Sequence, residues 1–313
     1  MTGAAVTDAP AGFDVHAFLD RERDWVNAVL AGIAPTLAEG APSALREPVE
    51  YALATPGKRL RPILCVSAYR VVRPAHPPDA VYRLACALEI VHTYSLVHDD
   101  LPSMDDDALR RGRPTVHVVH GERAALLAGA ALIPAAVRVL DAAARDLGLD
   151  VHARGRLVAE LCSAGGARGM VGGQWLDLLG EAPGARVDAD GLERIHRLKT
   201  GALLAASLRI GALAAGADAR RVDALTDYGR ELGLAFQIVD DVLDVTRTDA
   251  ELGKTAGKDV GAGKATYPSL FGLEVAERMA RERVARAVDA LHAAGIRSAE
   301  LEALAAFVLE RGR

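Results

Sequence analysis

Apolar positions recur along almost the whole chain with the three-to-four-residue rhythm of helices. Ten segments carry it: 13–38, 42–54, 61–72, 79–99, 118–146, 151–170, 190–215, 219–247, 268–292 and 298–311. In the fourth, Val81, Leu84, Ala85, Leu88, Val91 and Ser95 follow an i, i+3, i+4, i+7 progression along one face. No stretch alternates apolar and polar residues for long enough to predict a run of strands. The breaks are short, at Thr55-Pro56-Gly57, 73–78, 101–114, 179–184 and 248–266. Pro62 suits a first helical turn, where a missing N–H is harmless. Pro134 falls inside a helical pattern and predicts a kink or a break. With no linker, fixed-period repeat or low-complexity tract, the pattern predicts one all-α domain over residues 1–313.

Composition supports helix over sheet. Half of the 313 residues are hydrophobic, Ala and Leu dominate them, and aromatics make up only 4%. A net charge of −5 lacks the basic excess of a nucleic-acid-binding body, so no nucleic-acid partner is expected. Cys65, Cys86 and Cys162 are scattered, odd in number and form no CxxC pair. That argues against a disulfide framework or zinc site and fits a reducing cytoplasm. The segment Met1 to Pro10 has neither a basic flank nor an apolar run, so no signal peptide is expected. No stretch reaches the roughly 18 uninterrupted apolar residues of a membrane span. Leu126–Ala136 comes nearest and contains Pro134.

The acidic residues change the picture. From Asp99 to Asp107 there are five aspartates in nine positions. Like charges this close repel, and a solvated acidic loop is the plain reading. However, Asp99 and Asp100 end a strongly apolar helix, at the edge of a core, where the helix dipole disfavours negative charge. Such an arrangement calls for a cation. A second cluster, Asp240, Asp241 and Asp244, lies inside a helical pattern with Gln237. Asp240 and Asp244 share one face, and Gln237 and Asp241 another. Carboxylates on a mostly buried helix are costly unless paired or metal-bound. Oxygen-only ligands point to a hard ion, and Mg²⁺ suits them because it takes one or two carboxylates with waters and substrate phosphates.

Basic groups stand near these clusters: Lys58, Arg59 and Arg61 after a Pro-Gly turn, then Arg110, Arg111 and Arg113. Lys199 with Thr200 lies in a helix, and Lys254, Lys258 and Lys264 in a Gly-containing loop. Each alone reads as a solvated patch. Beside two Mg²⁺-type clusters they suggest a pocket for two diphosphates.

At this point the sequence resembles the trans-isoprenyl diphosphate synthases, and most of all the bacterial farnesyl diphosphate synthases. The resemblance is carried by Gly57-Lys58-Arg59-Leu60-Arg61-Pro62 and the run from Ser95 to His117. Met170–Leu178, His196–Leu203, Phe236–Val245 and Lys264–Leu270 extend it. It implies a helical bundle of about ten or more helices around a central active-site cavity. It further implies that isopentenyl diphosphate is condensed with an allylic diphosphate with the help of Mg²⁺, three ions being the family norm. Asp99, Asp100 and Asp105 resemble the first aspartate motif and Asp240, Asp241 and Asp244 the second, both metal-binding. Arg110, Lys199, Lys254 and Lys264 resemble contacts to the allylic diphosphate. Lys58, Arg61, His92 and Arg111 resemble the isopentenyl diphosphate site. Thr200 and Gln237 resemble residues whose dipoles face the carbocation. His98 and His117 are expected to be structural.

Three positions depart from the family pattern: Pro56 in place of a second Gly, Ala108 in place of an acid, and Ala130 in place of an Asp. None removes a principal ligand. The positions before Asp99 form the family's product floor, here Tyr94 and Ser95. A large Tyr94 implies an early stop and a fifteen-carbon product, with geranylgeranyl or geranyl diphosphate as alternatives. Helix geometry alone does not assign the role: Ser95 lies one turn below Asp99 on the same face, whereas Tyr94 lies about 140° round the helix, so the role of Tyr94 rests on the resemblance. Two rivals are disfavoured. A class I terpene cyclase would need neither Asp240-Asp241-Val242-Leu243-Asp244 nor the Lys58/Arg61 group. A non-catalytic subunit would have lost ligands. An exposed apolar helix face and the family habit imply a homodimer.

Overall fold

In the computed structural model, which describes residues 12–182, 184–246 and 264–310, those residues form fourteen α-helices. They are α1 (Val15–Leu37), α2 (Ser43–Leu53), α3 (Leu60–Val72), α4 (Asp79–Asp99), α5 (Val116–His120), α6 (Glu122–Asp146), α7 (Val151–Gly165), α8 (Met170–Gly180), α9 (Ala189–His196), α10 (Ala202–Ala214), α11 (Ala219–Thr246), α12 (Tyr267–Phe271), α13 (Leu273–Ala293) and α14 (Ala299–Glu310). One π-helical turn, Arg197–Gly201, joins α9 to α10. The helix starts are written in the sequence. Asp14, Asp150 and Asp188 accept N–H bonds from Ala17, Ala153 and Gly191 at 3.0, 2.8 and 2.9 Å, satisfying donors that a helix leaves open. Thr266 and Ser269 cap α12 reciprocally.

Two long helices organise the bundle, each with most of its residues buried. The α4 helix packs against α6, α3, α1, α10 and α2, and α11 packs against α13, α10 and α14. Each centres its own core, one around Leu84, Leu88 and Leu132, the other around Leu225, Tyr228 and Leu301. The α3 and α10 helices lie between them and contact each other. The two aspartate clusters lie at the C-terminal ends of α4 and α11.

The all-α expectation holds, with local corrections. The predicted helix 118–146 is split by Gly121, whose φ of 86° suits glycine and ends α5. The predicted helix 151–170 stops at Gly165, and α8 begins separately at Met170. Inside the 101–114 break a two-residue antiparallel hairpin, β1 (Leu109–Arg110) with β2 (Arg113–Pro114), turns at Arg111 and Gly112. Both turn residues are left-handed, with φ of 54° and 75°, as the strand twist of a tight hairpin favours. Pro134 breaks nothing: α6 runs through it, and the proline lies on the exposed face.

Among the described residues α6 is long and apolar enough to cross a membrane by length and composition. Its Ala125, Ala128, Leu132, Ala136 and Leu140 are buried and it lies along α4, while Leu126, Leu127 and Ile133 face outward.

Candidate active site

The loop after α4 folds back on the helix end. The Asp105 N–H donates to Asp99 O at 2.8 Å and the Asp106 N–H to Leu101 O at 3.1 Å. This brings Asp105 beside Asp99. Burial pushes the Asp99 carboxyl up to about 6; Lys199 pulls against the rise, and the charges of Asp105 and Asp100 add to it. Asp100 is buried. It accepts from Arg110 Nε at 2.8 Å, and Arg110 Nη2 also reaches Asp107 at 3.2 Å. Burial still raises the Asp100 carboxyl, with Arg110 opposing.

On α11 the two carboxylate stripes diverge in use. Asp241 is buried, accepts the Tyr267 N–H at 2.9 Å and lies 3.5 Å from His196 Nε2. His196 stacks on Tyr267 with ring centroids 5.7 Å apart, and Gln237 Nε2 lies 3.4 Å from His196 Nδ1. The Gln237/Asp241 stripe is thus tied to α9 and α12. On the other stripe Asp244 is buried and the Asp240 charge reaches Arg61.

Lys199 and Thr200 sit in the π turn, where one extra residue per turn pushes the backbone outward. Lys199 Nζ meets Asp177 Oδ2 of α8 at 2.6 Å. Although burial opposes its charge, Asp177, Asp99 and Asp105 hold the ammonium above its ordinary pKa. Lys264 pairs with Glu181 at 2.6 Å and lies 3.7 Å from Asp177. Asp177, despite burial, is pulled down by both lysines. Asp177, which joins these two lysines, was not singled out in the sequence reading. Its one signal was its place in the Met170–Leu178 run. Gln174, one turn before it, is buried with neither amide atom hydrogen-bonded.

Gly173 makes this register possible. A Cβ there would run into the backbone N and Cα of Lys199, the latter at 2.5 Å. Gly173→Ala is therefore expected to push the π turn away from α8. It is expected to lower kcat/KM about tenfold or more, with about 1–3 kcal/mol of overpacking cost. Steady-state kinetics and thermal melting read both.

A second basic group surrounds His92. Burial first, then Arg61, Arg111, Arg110 and Arg59, holds its imidazole well below the usual pKa. Burial lowers Arg61 to about 10 and also lowers Arg111. Arg111 Nη1 donates to Pro56 O, and Lys58 is exposed. Beneath Asp99, Ser95 Oγ donates to His92 O at 2.9 Å. Tyr94 crosses to α7, its hydroxyl donating to Gly165 O at 2.8 Å. Lys254 and Lys258 lie outside the described residues. Among the described residues no three His, Cys, Asp or Glu side chains converge to hold an ion by themselves.

A family model, polyprenyl synthetase, matches residues 42–300. The chain belongs to the polyprenyl synthetase family. It is a prenyltransferase that condenses isoprenoid diphosphates, and its relatives differ in product. It is 45% identical over 273 residues to farnesyl diphosphate synthase of Escherichia coli, covering 85% of this chain and 89% of that one. It is 44% identical over 280 residues to geranylgeranyl pyrophosphate synthase 9, chloroplastic, of Arabidopsis thaliana, covering 88% and 76%. Among solved structures it resembles a geranyltransferase from Helicobacter pylori complexed with magnesium and isoprenyl diphosphate. That likeness has a TM-score of 0.79 and 30% identity over 96% of this chain and 98% of that one.

Proposed function

We propose that this prenyltransferase makes farnesyl diphosphate, adding isopentenyl diphosphate first to dimethylallyl and then to geranyl diphosphate. The observation that carries the site reading is the crowding at the end of α4. Asp99, with a carboxyl raised to about 6, faces Asp105 and Asp100 and is answered by Lys199. Carboxylates packed so closely fit a divalent ion. Because no three converge among the described residues, the fit is to Mg²⁺ shared with a diphosphate and water.

Asp99, Asp100 and Asp105 would hold metal on the α4 side and Asp240, Asp241 and Asp244 on the α11 side, three ions in all. Within the second set Asp241 also accepts the Tyr267 N–H, which ties the motif to α12. Bound Mg²⁺ would neutralise charge on the leaving diphosphate as a Lewis acid. Lys199, Lys264, Lys254 and Arg110 would grip the allylic diphosphate. In this reading Asp177 is the counter-charge that Lys199 and Lys264 exchange for phosphate oxygens. Lys58, Arg61, His92 and Arg111 would hold isopentenyl diphosphate. As the allylic C1–O bond ionises, the carbonyl of Gln237 and the hydroxyl of Thr200 would face the cation with their negative ends. The isopentenyl double bond, held close, attacks C1. The released diphosphate takes the final proton, so no protein base is required.

The test is incubation with Mg²⁺, isopentenyl diphosphate and, in turn, dimethylallyl, geranyl and farnesyl diphosphates, with products identified by mass. A C15 product from the first two, with little from the third, is expected. A C20 product would overturn the chain-length reading alone, as the geranylgeranyl relative allows.

The outward apolar residues of α5 and α6, Val118, Val119, Leu126, Leu127 and Ile133, form a face suited to a second copy about a two-fold axis. Replacing Leu127 and Ile133 together by lysine is expected to convert a dimer to a monomer in light scattering.

A further inference from the structure

In the run Lys58-Arg59-Leu60-Arg61, the middle arginine points the other way. Lys58 is exposed, but Arg59 is only 6% exposed. Its φ of 52° and ψ of 29° are left-handed, which residues with a Cβ rarely adopt. Three hydrogen bonds hold it there. Nη1 donates to Glu89 Oε1 at 2.7 Å, Nε to Asn27 Oδ1 at 2.9 Å and Nη2 to Thr55 O at 2.9 Å. The reversal at Arg59 ends the loop and starts α3, where Arg59 O accepts the Ile63 N–H at 3.1 Å. The same loop is gripped from its other side by Arg111, through Pro56 O. Gly57 lies between the two guanidinium groups: a Cβ there would run into that of Arg111 and crowd that of Arg59 at 3.1 Å.

Glu89 anchors this arrangement. It is 2% exposed on α4, ten residues before Asp99 and so about 15 Å along the helix axis from it. That keeps it away from the proposed metal positions. Its charge is the first to support both Arg61 and Arg111 against the burial that lowers them.

We propose that Glu89 is a positioning residue for the isopentenyl diphosphate subsite, acting through Arg59 to fix the turn that aims Lys58 and Arg61. The proposal rests on the assignment of Lys58, Arg61 and Arg111 to that subsite. Two roles for Glu89 have opposite signs. A carboxylate acting only as counter-charge weakens the field on a diphosphate, so removing it lowers KM for isopentenyl diphosphate. A carboxylate that holds the turn raises that KM when removed.

The experiment measures both Michaelis constants of the full chain with Mg²⁺, geranyl diphosphate and isopentenyl diphosphate. Glu89→Gln is expected to raise KM for isopentenyl diphosphate about tenfold, leaving KM for geranyl diphosphate and kcat within about twofold. Arg59→Gln is expected to give the same rise, and the double variant no more than either alone, because both act through one contact. Should Glu89→Gln not fold, Glu89→Asp, which keeps the charge but draws the carboxylate back, carries the same readout. An unchanged or lower KM for isopentenyl diphosphate, a parallel rise in both constants, or additive effects would overturn the proposal. Lys58→Ala separates the two failures. If it too leaves the isopentenyl constant unchanged, the subsite assignment fails; if it raises the constant while Glu89→Gln does not, only the positioning role fails.

Discussion

Asp99→Ala is expected to lower kcat by about a thousandfold or more while raising the melting temperature by a few degrees. The loss follows from electrostatics: a group that stabilises developing charge in a water-poor site is worth about 3–4 kcal/mol of barrier. The gain follows from the same group's cost to the fold. Asp99 closes the C-terminus of α4, where the helix dipole repels negative charge. Burial raises its carboxyl to about 6, with Asp105 and Asp100 adding to the rise. A carboxyl whose folded-state pKa lies above its unfolded value costs stability wherever it is ionised, so at neutral pH the wild-type chain carries that cost and the alanine variant does not. Each 1 kcal/mol of relief corresponds to about 1.5 °C in a chain of 313 residues. Asp240→Ala is expected to lose activity comparably and to require more Mg²⁺ for half-maximal rate. Melting curves and Mg²⁺ titrations check these outcomes. A variant within about tenfold of wild type would remove Asp99 from the metal site, and inactivity with a lowered melting temperature would mean that the carboxylate holds the loop rather than the ion.

The helices were legible because their apolar rhythm is a property of one segment at a time. The exceptions have local causes. The rhythm runs straight across Gly121, since a glycine does not interrupt an apolar pattern even when its φ of 86° ends a helix. Pro134 reads as a break from the chain alone, yet it falls on the exposed side of α6, and the helix continues through it. The aspartate clusters were legible because each is contiguous. The partners of Lys199 were not: Asp177 is 22 residues away and meets it only because Gly173 lets α8 approach the π turn. The different fates of Lys58 and Arg59 were equally hidden. Adjacent basic residues read alike until Glu89, thirty positions later, draws one of them inward. The divergence of Asp240 from Asp241 could be anticipated as two helical faces, but which face served α12 depended on where Tyr267 came to lie.

Tyr94→Ala is expected to lengthen the main product by at least one five-carbon unit, whereas Tyr94→Phe is expected to leave it unchanged. Tyr94 is 6% exposed and lies five residues before Asp99, about 7.5 Å down the helix axis. Helix geometry alone puts its Cα off the face of Asp99, so its role as floor rests on the resemblance. The side chain spans further than its Cα suggests. Its hydroxyl reaches Gly165 O at the end of α7, and its ring meets His98 edge-on with centroids 5.9 Å apart. Burial pushes the phenol up to about 12, so it stays a neutral donor across the working pH range. The side chain thus links α4 to the end of α7, and as the product floor its ring would block a chain growing past Asp99. Ser95, by contrast, is small and turns its hydroxyl to His92 O, so it offers a growing chain little resistance. Removing the ring leaves an apolar void that costs about 3–5 kcal/mol when empty. A longer prenyl chain would fill that void, giving the variant a preference for longer products. The phenylalanine variant keeps the ring and loses only one hydrogen bond, about 1 kcal/mol. Product masses from geranyl and farnesyl primers decide the matter. If Tyr94→Ala still stops at the wild-type length while Ser95→Leu shortens the product, the floor is Ser95, and the tyrosine serves only to pin α4 to α7.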